Sequence, residues 1–466
     1  AGTMDLTEPQ AGSDVGDSTT KAIPSAEPGV YLIKGTKCFI SGGEQDITEN
    51  IIHLTLARIE GAAPGTRGLS LFVVPKFLPD VNGNLGEWND INCAGIEHKL
   101  GHKGSPTCVI NFGEEGKCKG FLLGNPPGED GVGQGMAQMF KMMNEERLMS
   151  GMSGCALAAS AYYNAVQYCN ERIQGRPTTN PKAGRCQIIK HEDVKRMLMF
   201  QKAHIEAFRA MVLQTLWWID IENNSADPEL HKQARIFLEV NTPIVKAYCS
   251  DMAFKVTELA IQTYGGYGYC AEYPVEQFMR DIKIASIYEG TNGIQGLDLV
   301  GRKLGLKKGT YFMSLLGEMN ATITKYQSNA ALKDLADDVR QAVDTLAETV
   351  MYFAESSKAG KFLIPVGNAY PFLMLMGKVV MAWFLLWEAG VAREKLDEIA
   401  AGKGIHPADM QKLSLLAKEN TDTAFYIGKV AAARYFIKHV LPEVDAAVKA
   451  IRSEDLSMID IPEESF

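Results

Sequence analysis

No C-x-x-C pair, no long uncharged apolar run and no basic stretch interleaved with aromatics occurs in this 466-residue chain. The nine cysteines, at 38, 93, 108, 118, 155, 169, 186, 249 and 270, are scattered. That scatter argues against a disulfide framework and for free thiols in a reducing compartment. The run nearest to the roughly 20 apolar residues of a membrane span is PFLMLMGKVVMAWFLLWEAG (371–390). It carries Lys378 and Glu388 and reads as the buried face of a long helix. A net charge of −9 and the acidic stretch SEDLSMIDIPEESF (453–466) speak against a general nucleic-acid surface. The opening residues lack the charged start and apolar core of a secretory leader, so the expected compartment is cytoplasmic. His98 and His102 stand four apart in IEHKLGHKGSPT (96–107), but Gly101 and Gly104 interrupt any helix that would align them, and no metal is expected.

What is present is a change of rhythm. With 46% hydrophobic residues the chain can bury large cores and should form two or three domains. Up to about residue 125, short alternating or apolar runs such as IIHLTLARIE (51–60), LSLFVVPK (69–76) and TCVINF (107–112) lie between Gly, Pro, Asn and Asp turns, the pattern of a β-barrel. FLLGNPPGEDGVGQG (121–135) reads as a hinge. From 136 to 306 the spacing becomes that of long helices, consistent with a four-helix bundle, with the insert QGRPTTNPKAGR (174–185) between the first two. A further helical block follows over 307–466, with helical periodicity in 331–357, 367–391 and 409–440. The fold class expected is therefore α+β, with domains at 1–125, 136–306 and 307–466.

Glu289 stands out chemically. It sits in IASIYEGTNGIQ (284–295), 20 residues after the glycine-rich turn QTYGGYGY (262–269). A carboxylate on a tight turn among Ile284, Ala285, Ile287, Tyr288 and Ile294 has the apolar surroundings that suit a general base, and its backbone N–H could donate to a developing oxyanion. The competing reading makes Glu289 a helix N-terminal acid before a helix starting near Thr291. Gly265, Gly266 and Gly268 would let the backbone approach a pyrophosphate, but the helical run before them denies them a dinucleotide fingerprint, and a helix C-cap followed by a turn fits them equally well.

Three motifs read in order resolve this. LTEPQAGSD (6–14), YLIKGTKCFISGG (31–43), taken as a hairpin, and YGGYGYCAEYPVEQFMRDIKIASIYEGTNGIQ (264–295) resemble the signatures of the acyl-CoA dehydrogenase family, over roughly Met4 to Lys303. The extension resembles that of the larger 3-(methylthio)propanoyl-CoA dehydrogenase-like branch. The resemblance implies FAD as cofactor, with Thr7, Gly12 and Ser13 at the isoalloxazine and acyl-CoA. It places Phe39, Ile40 and Ser41 against the flavin, Phe and Ser standing where Trp and Thr are common. It assigns Gln262, Thr263, Tyr264, Gly265 and Gly266 to the FAD pyrophosphate, Thr291, Asn292 and Gly293 to its adenosine end, and Arg172 in NERIQGRP (170–177) to a partner subunit's FAD. Arg147 in NEERLMSG (144–151), with Ser13 and Gly290, falls at the substrate.

The implied reaction is α,β-dehydrogenation of an acyl-CoA thioester to a trans-2-enoyl-CoA. Glu289 takes the α-proton and the β-hydrogen leaves as hydride to flavin N5, with electrons passed on to electron-transferring flavoprotein. The resemblance further implies a homodimer or homotetramer sharing FAD at its interface. The family normally opens with a helical domain, whereas here Ala1 stands a few residues before the flavin loop. That domain is expected to be cleaved, supplied by a separate chain or encoded outside these residues. A flavoprotein acyl-CoA oxidase and a non-catalytic flavin- or CoA-binding subunit are the alternative functions.

Overall fold

The computed structural model describes residues 1–466, which divide into two compact units, Ala1–Glu146 and Arg147–Phe466. The first contains ten strands: β1 (Gly2–Asp5), β2 (Lys21–Pro24), β3 (Val30–Ser41), β4 (Ile52–Ile59), β5 (Leu69–Pro75), β6 (Phe77–Pro79), β7 (Leu85–Trp88), β8 (Ile91–Ile96), β9 (Thr107–Phe112) and β10 (Lys119–Leu122). Eight of them form one sheet in the order β1-β4-β5-β10-β3-β9-β8, and β2 pairs with both β3 and β4. That double pairing closes β4, β5, β10, β3 and β2 into a ring, from which β1 branches at β4 and the β9–β8 pair at β3. Alternation drives it: in β9 Cys108, Ile110 and Phe112 are buried, joining Ile33, Phe72, Val74 and Ile91 in the barrel core.

The segment expected as a hairpin at 31–43 is instead the single 12-residue strand β3. Gly35 is no turn residue. It sits where any Cβ would overlap Thr20, so glycine there lets the strand run straight over the incoming loop. The turn is replaced by an irregularity in the β3–β9 register between Lys37 and Ile40.

The first unit is tied together by a charge pair that alternation alone would have excluded. Lys37 faces inward with Nζ 2.9 Å from Glu8, the two side chains 0% and 1% exposed. Glu8 also accepts from the Ser18 hydroxyl, from the Thr19 and Thr20 amides at 2.8 and 3.1 Å, and from the Thr19 and Thr20 hydroxyls at 2.8 and 2.6 Å. Lys37 donates to the Leu6 carbonyl at 3.0 Å. Burial alone would raise the Glu8 carboxyl, but the Lys37 charge and the hydroxyl donors outweigh it and hold the group far below the usual carboxylate range.

In chain order the helices are α1 (Gly135–Glu171), α2 (Glu192–Asn224), α3 (Pro228–Tyr264), α4 (Val275–Ile282), α5 (Asn292–Asp298), α6 (Thr310–Gln327), α7 (Lys333–Lys358), α8 (Leu363–Gly367), α9 (Ala369–Gly402), α10 (Met410–Leu416), α11 (Thr421–His439), α12 (Glu443–Ile451) and α13 (Ser457–Asp460). The division after Glu146 falls later than the hinge because the first turns of α1 place Met139 and Met143 among Leu6, Leu56, Leu69 and Leu71 of the barrel unit. Residues 147–306 and 307–466, expected as separate domains, share one continuous core. Its axis is α9, the one helix long and apolar enough to cross a membrane, whose most apolar stretch is 78% buried inside the fold. Phe384 of α9 lies 6.4 Å from Phe237 of α3, ring centre to ring centre. Helix α9 also approaches α6 so closely that a Cβ at Gly390 would overlap the Tyr326 ring. The periodicity over 409–440 belongs to two helices, because the Asn420 side chain accepts from the Thr423 amide at 2.7 Å and starts α11 afresh.

Two outcomes follow. Glu8→Gln strands the Lys37 ammonium and should cost about 3–5 kcal/mol, read by denaturant unfolding at neutral pH. Because the folded Glu8 carboxyl is depressed, its contribution is complete above the unfolded carboxylate pKa of about 4.3 and is lost as pH falls below it, so the variant should flatten the acid limb of the stability profile. Gly390→Ala should destabilise the helical unit by about 1–3 kcal/mol, seen as a lower Tm, and an unchanged Tm would show that α9 and α6 can move apart at no cost.

Candidate active site

Glu289 lies on the turn between the end of α4 and the start of α5, with its backbone in the left-handed region at φ 57°, followed by Gly290 at φ 82°. Glycine adopts this freely, whereas for Glu289 it costs about 1–3 kcal/mol. Donors aimed at successive carbonyls hold the turn. Arg147 Nε reaches the Glu289 carbonyl at 3.3 Å, while Lys246 Nζ and Gln295 Nε2 reach the Gly290 carbonyl at 2.8 and 3.3 Å. Lys246 also donates to Asn292 Oδ1 at 2.8 Å, and the Asn292 amide returns to α3 through Ser250 Oγ at 3.0 Å and the Ala247 carbonyl at 3.3 Å.

Both cations are buried, Lys246 at 0% and Arg147 at 6% exposure. Burial lowers the Lys246 ammonium to about 8, with the nearby Asp251 and Glu289 charges opposing the drop. Burial likewise lowers Arg147, opposed by Asp298 and Glu289. The backbone of the turn thus rests on two buried positive groups. Thr291, and not Glu289, caps α5: its hydroxyl accepts from the Ile294 amide at 3.3 Å. That removes the helix-cap reading of Glu289. The apolar setting is thinner within this chain than the sequence implied, with Ala285 buried but Ile284 and Ile287 36% and 53% exposed.

The glycine run forms a second part of the same unit. Helix α3 ends at Tyr264, and Gly265, at φ 64° and ψ −142°, caps it through its N–H to the Gln262 carbonyl. The C-cap reading is therefore true, and the same residues also build a cleft. Gln262, Thr263, Tyr264, Gly265 and Gly266 line a cavity of about 460 Å³ together with Arg172, Tyr168 and Tyr267. Tyr264 is stacked on Tyr168 at 4.1 Å, and the Arg172 guanidinium sits 5.6 Å from the centre of the Tyr267 ring. A Cβ at Gly265 or Gly266 would meet no atom within 4 Å, so it would project into open space. A guanidinium, an exposed Gln262 and two glycines that leave the backbone uncovered form a donor set that fits a pyrophosphate. Thr263 serves structure instead, its hydroxyl donating to Leu259 at 2.6 Å.

In the barrel unit Thr7, Gly12 and Ser13 lie on the loop after β1, and Phe39, Ile40 and Ser41 end β3. The Cys38 amide donates to the Thr7 carbonyl at 2.9 Å, so the two segments are joined at the backbone. Phe39 is left-handed at φ 61° and 63% exposed, and Ser41 is exposed, which leaves both side chains free for a flat ring system. Ile40 is 2% exposed and belongs to the barrel core, so its contribution is to hold the strand. Asn292 is a further correction. At 4% exposure, with its amide engaged by Lys246 and α3, it supports the turn and leaves Thr291 and Gly293 as the outward members of that group.

The sequence reading missed Lys246 and the Glu8–Lys37 pair. The signal for the first was a lysine within the apolar helical run TPIVKAYCSDMAF (242–254), and for the second the parity of β3, which puts residue 37 on the same face as Ile33.

Comparison with known proteins accords with this geometry. Residues 3–114 match the acyl-CoA dehydrogenase middle domain, 133–304 the acyl-CoA dehydrogenase C-terminal domain, and 315–462 the acetyl-CoA dehydrogenase C-terminal-like domain. A butyryl-CoA dehydrogenase of Syntrophomonas wolfei is 40% identical over 467 aligned residues, which cover 100% of this chain and 73% of that protein. The 3-methylmercaptopropionyl-CoA dehydrogenase of Ruegeria pomeroyi is 36% identical over 96% of this chain and 70% of its own length. An acyl-CoA dehydrogenase of Bacillus anthracis, solved in complex with FAD, shares the fold at a TM-score of 0.67 and 20% identity, over 96% of this chain and 72% of that one. The chain thus belongs to the acyl-CoA dehydrogenase family, as a member with a C-terminal helical extension.

Proposed function

We propose that this protein is an FAD-dependent acyl-CoA dehydrogenase in which Glu289 removes the α-proton of an acyl-CoA thioester. The observation that carries the assignment is the left-handed Glu289 turn, a strained backbone fixed by two buried cations and relieved of any capping duty. A carboxylate held this way is pre-organised: its position does not have to be found anew with each substrate. The proton moves from C2 of the thioester to a Glu289 carboxylate oxygen, and the Glu289 N–H is the donor to the thioester oxygen as charge builds there. Bound FAD supplies the acceptor for the β-hydrogen and its electron pair. With FAD bound, Phe39 and Ser41 would face its ring, while Arg172, Gln262, Gly265 and Gly266 would hold the pyrophosphate of a neighbouring subunit's FAD.

The butyryl and 3-methylmercaptopropionyl names of two relatives support a short acyl chain as substrate. Electron-transferring flavoprotein as acceptor, cytoplasmic residence, and a homodimer or homotetramer in which Arg172 serves a neighbouring subunit's FAD complete the reading. So does a helical bundle built from α1, α2, α3 and the α4–α5 segment.

The experiment is anaerobic bleaching of the bound flavin by a panel of acyl-CoA thioesters. Glu289→Gln should retain FAD yet bleach about 10²–10⁴ times more slowly, and a variant that bleaches at the normal rate removes Glu289 from the mechanism. Arg172→Ala should lower FAD content on purification without altering the Tm of the apo-protein. Retention of full FAD would mean that the 460 Å³ cleft is not the pyrophosphate site.

A further inference from the structure

Lys246 is the most deeply buried cation near the base, and neither α3 nor the helical core has an evident structural need for it. A lysine ammonium at 0% exposure in the middle of a helix otherwise filled by Ile244, Val245, Ala247, Tyr248 and Cys249 is costly to desolvate. Apolar residues of similar length would pack the same space without that cost. The ammonium instead reaches out of the helix to two acceptors, the Gly290 carbonyl and Asn292 Oδ1, both at 2.8 Å. Asn292 is in turn fixed to the Ala247 carbonyl, next to Lys246, and to Ser250, one turn further along α3. The result is a clamp between a long rigid helix and the residue that follows the base.

The neighbouring peptide is fixed in the same manner, since Arg147 donates to the Glu289 carbonyl. With the carbonyls of both Glu289 and Gly290 engaged, the peptide planes on the C-terminal side of the base cannot rotate independently. Glu289 at φ 57° is the residue that would relax if they could.

We infer that Lys246 is a positioning residue for the dehydrogenation: by holding the Gly290 carbonyl against α3 it keeps Glu289 in the left-handed conformation from which its carboxylate reaches the α-carbon. It touches neither substrate nor cofactor in this role, and the inference rests on Glu289 being the base.

The test uses the FAD-loaded enzyme and butyryl-CoA in single-turnover flavin bleaching, so that product release does not mask the chemical step. Lys246→Met should slow bleaching at saturating thioester by about a hundredfold while half-saturation, FAD content and Tm stay near those of the parent. Lys246→Gln keeps an N–H donor for the carbonyl and should recover part of the rate, and it decides the matter if the Met variant does not fold. Backbone amide exchange read without any acyl-CoA supplies a signal independent of turnover. Residues 288–292 should exchange faster in the Met variant, with α3 itself unchanged. Normal bleaching in both variants, or faster exchange throughout α3, overturns the inference. If Glu289→Gln is inactive while both Lys246 variants bleach normally, Glu289 remains the base and the clamp alone is wrong. If Glu289→Gln also bleaches normally, the base assignment falls as well.

Discussion

A carboxylate on a left-handed backbone is a local loss, and the helical unit recovers it by directing buried cations at the carbonyls on either side of Gly290. The chemistry proposed for this half of the protein depends on that arrangement. Glu289 lies on a turn between two short helices, which by themselves would leave it mobile. Rigidity is imported from α1 through Arg147 and from α3 through Lys246, two long helices embedded in the main core. The strain at φ 57° is the observation that motivates the functional reading of this turn.

The barrel unit solves the same problem with the same means. Its first loop and the end of β3 must stay aligned if Thr7, Ser13, Phe39 and Ser41 are to meet one ligand, and beyond the apolar packing of Leu6 and Val15 something must fix the polar residues of the loop. The buried Glu8–Lys37 pair does so, with hydroxyl and amide donors filling the remaining carboxylate sites and Lys37 reaching the Leu6 carbonyl. A single buried lysine in each unit thus anchors the segment expected to do chemistry. In both cases the ammonium bonds to a backbone carbonyl of that segment, which fixes the main chain.

Much of this was readable beforehand, for physical reasons. Strands β4, β5 and β9 follow from short alternating or apolar runs, and α9 from its length and its stripe of Met, Phe and Trp, interrupted by Lys378 and Glu388. Glu289, the glycine run and Arg172 were singled out by motifs whose chemistry and spacing are distinctive, and they lie on a left-handed turn and at a cleft whose roles are those proposed. What escaped was set by tertiary contact. Gly35 looks like a turn until Thr20 is known to lie against it, and the break at Asn420 is a side-chain cap inside an unbroken periodicity. Asn292 is a motif residue whose amide turned out to be engaged inward. Lys246 and Lys37 are charged residues at apolar positions, and only their partners, 44 and 29 residues away in sequence, reveal why. The shared core of residues 147–306 and 307–466 could not be inferred from periodicity, which marks helices without saying what they pack against.

The central claim concerns distance: the Glu289 carboxylate stands at the carbon from which the proton leaves. A crystal structure of the FAD-loaded enzyme with a non-oxidisable acyl-CoA analogue measures it directly. The account predicts a Glu289 carboxylate oxygen within about 3–3.5 Å of the analogue's α-position, with Lys246 still on the Gly290 carbonyl. A structure in which the α-position faces a different acidic group, with Glu289 turned away, would contradict it.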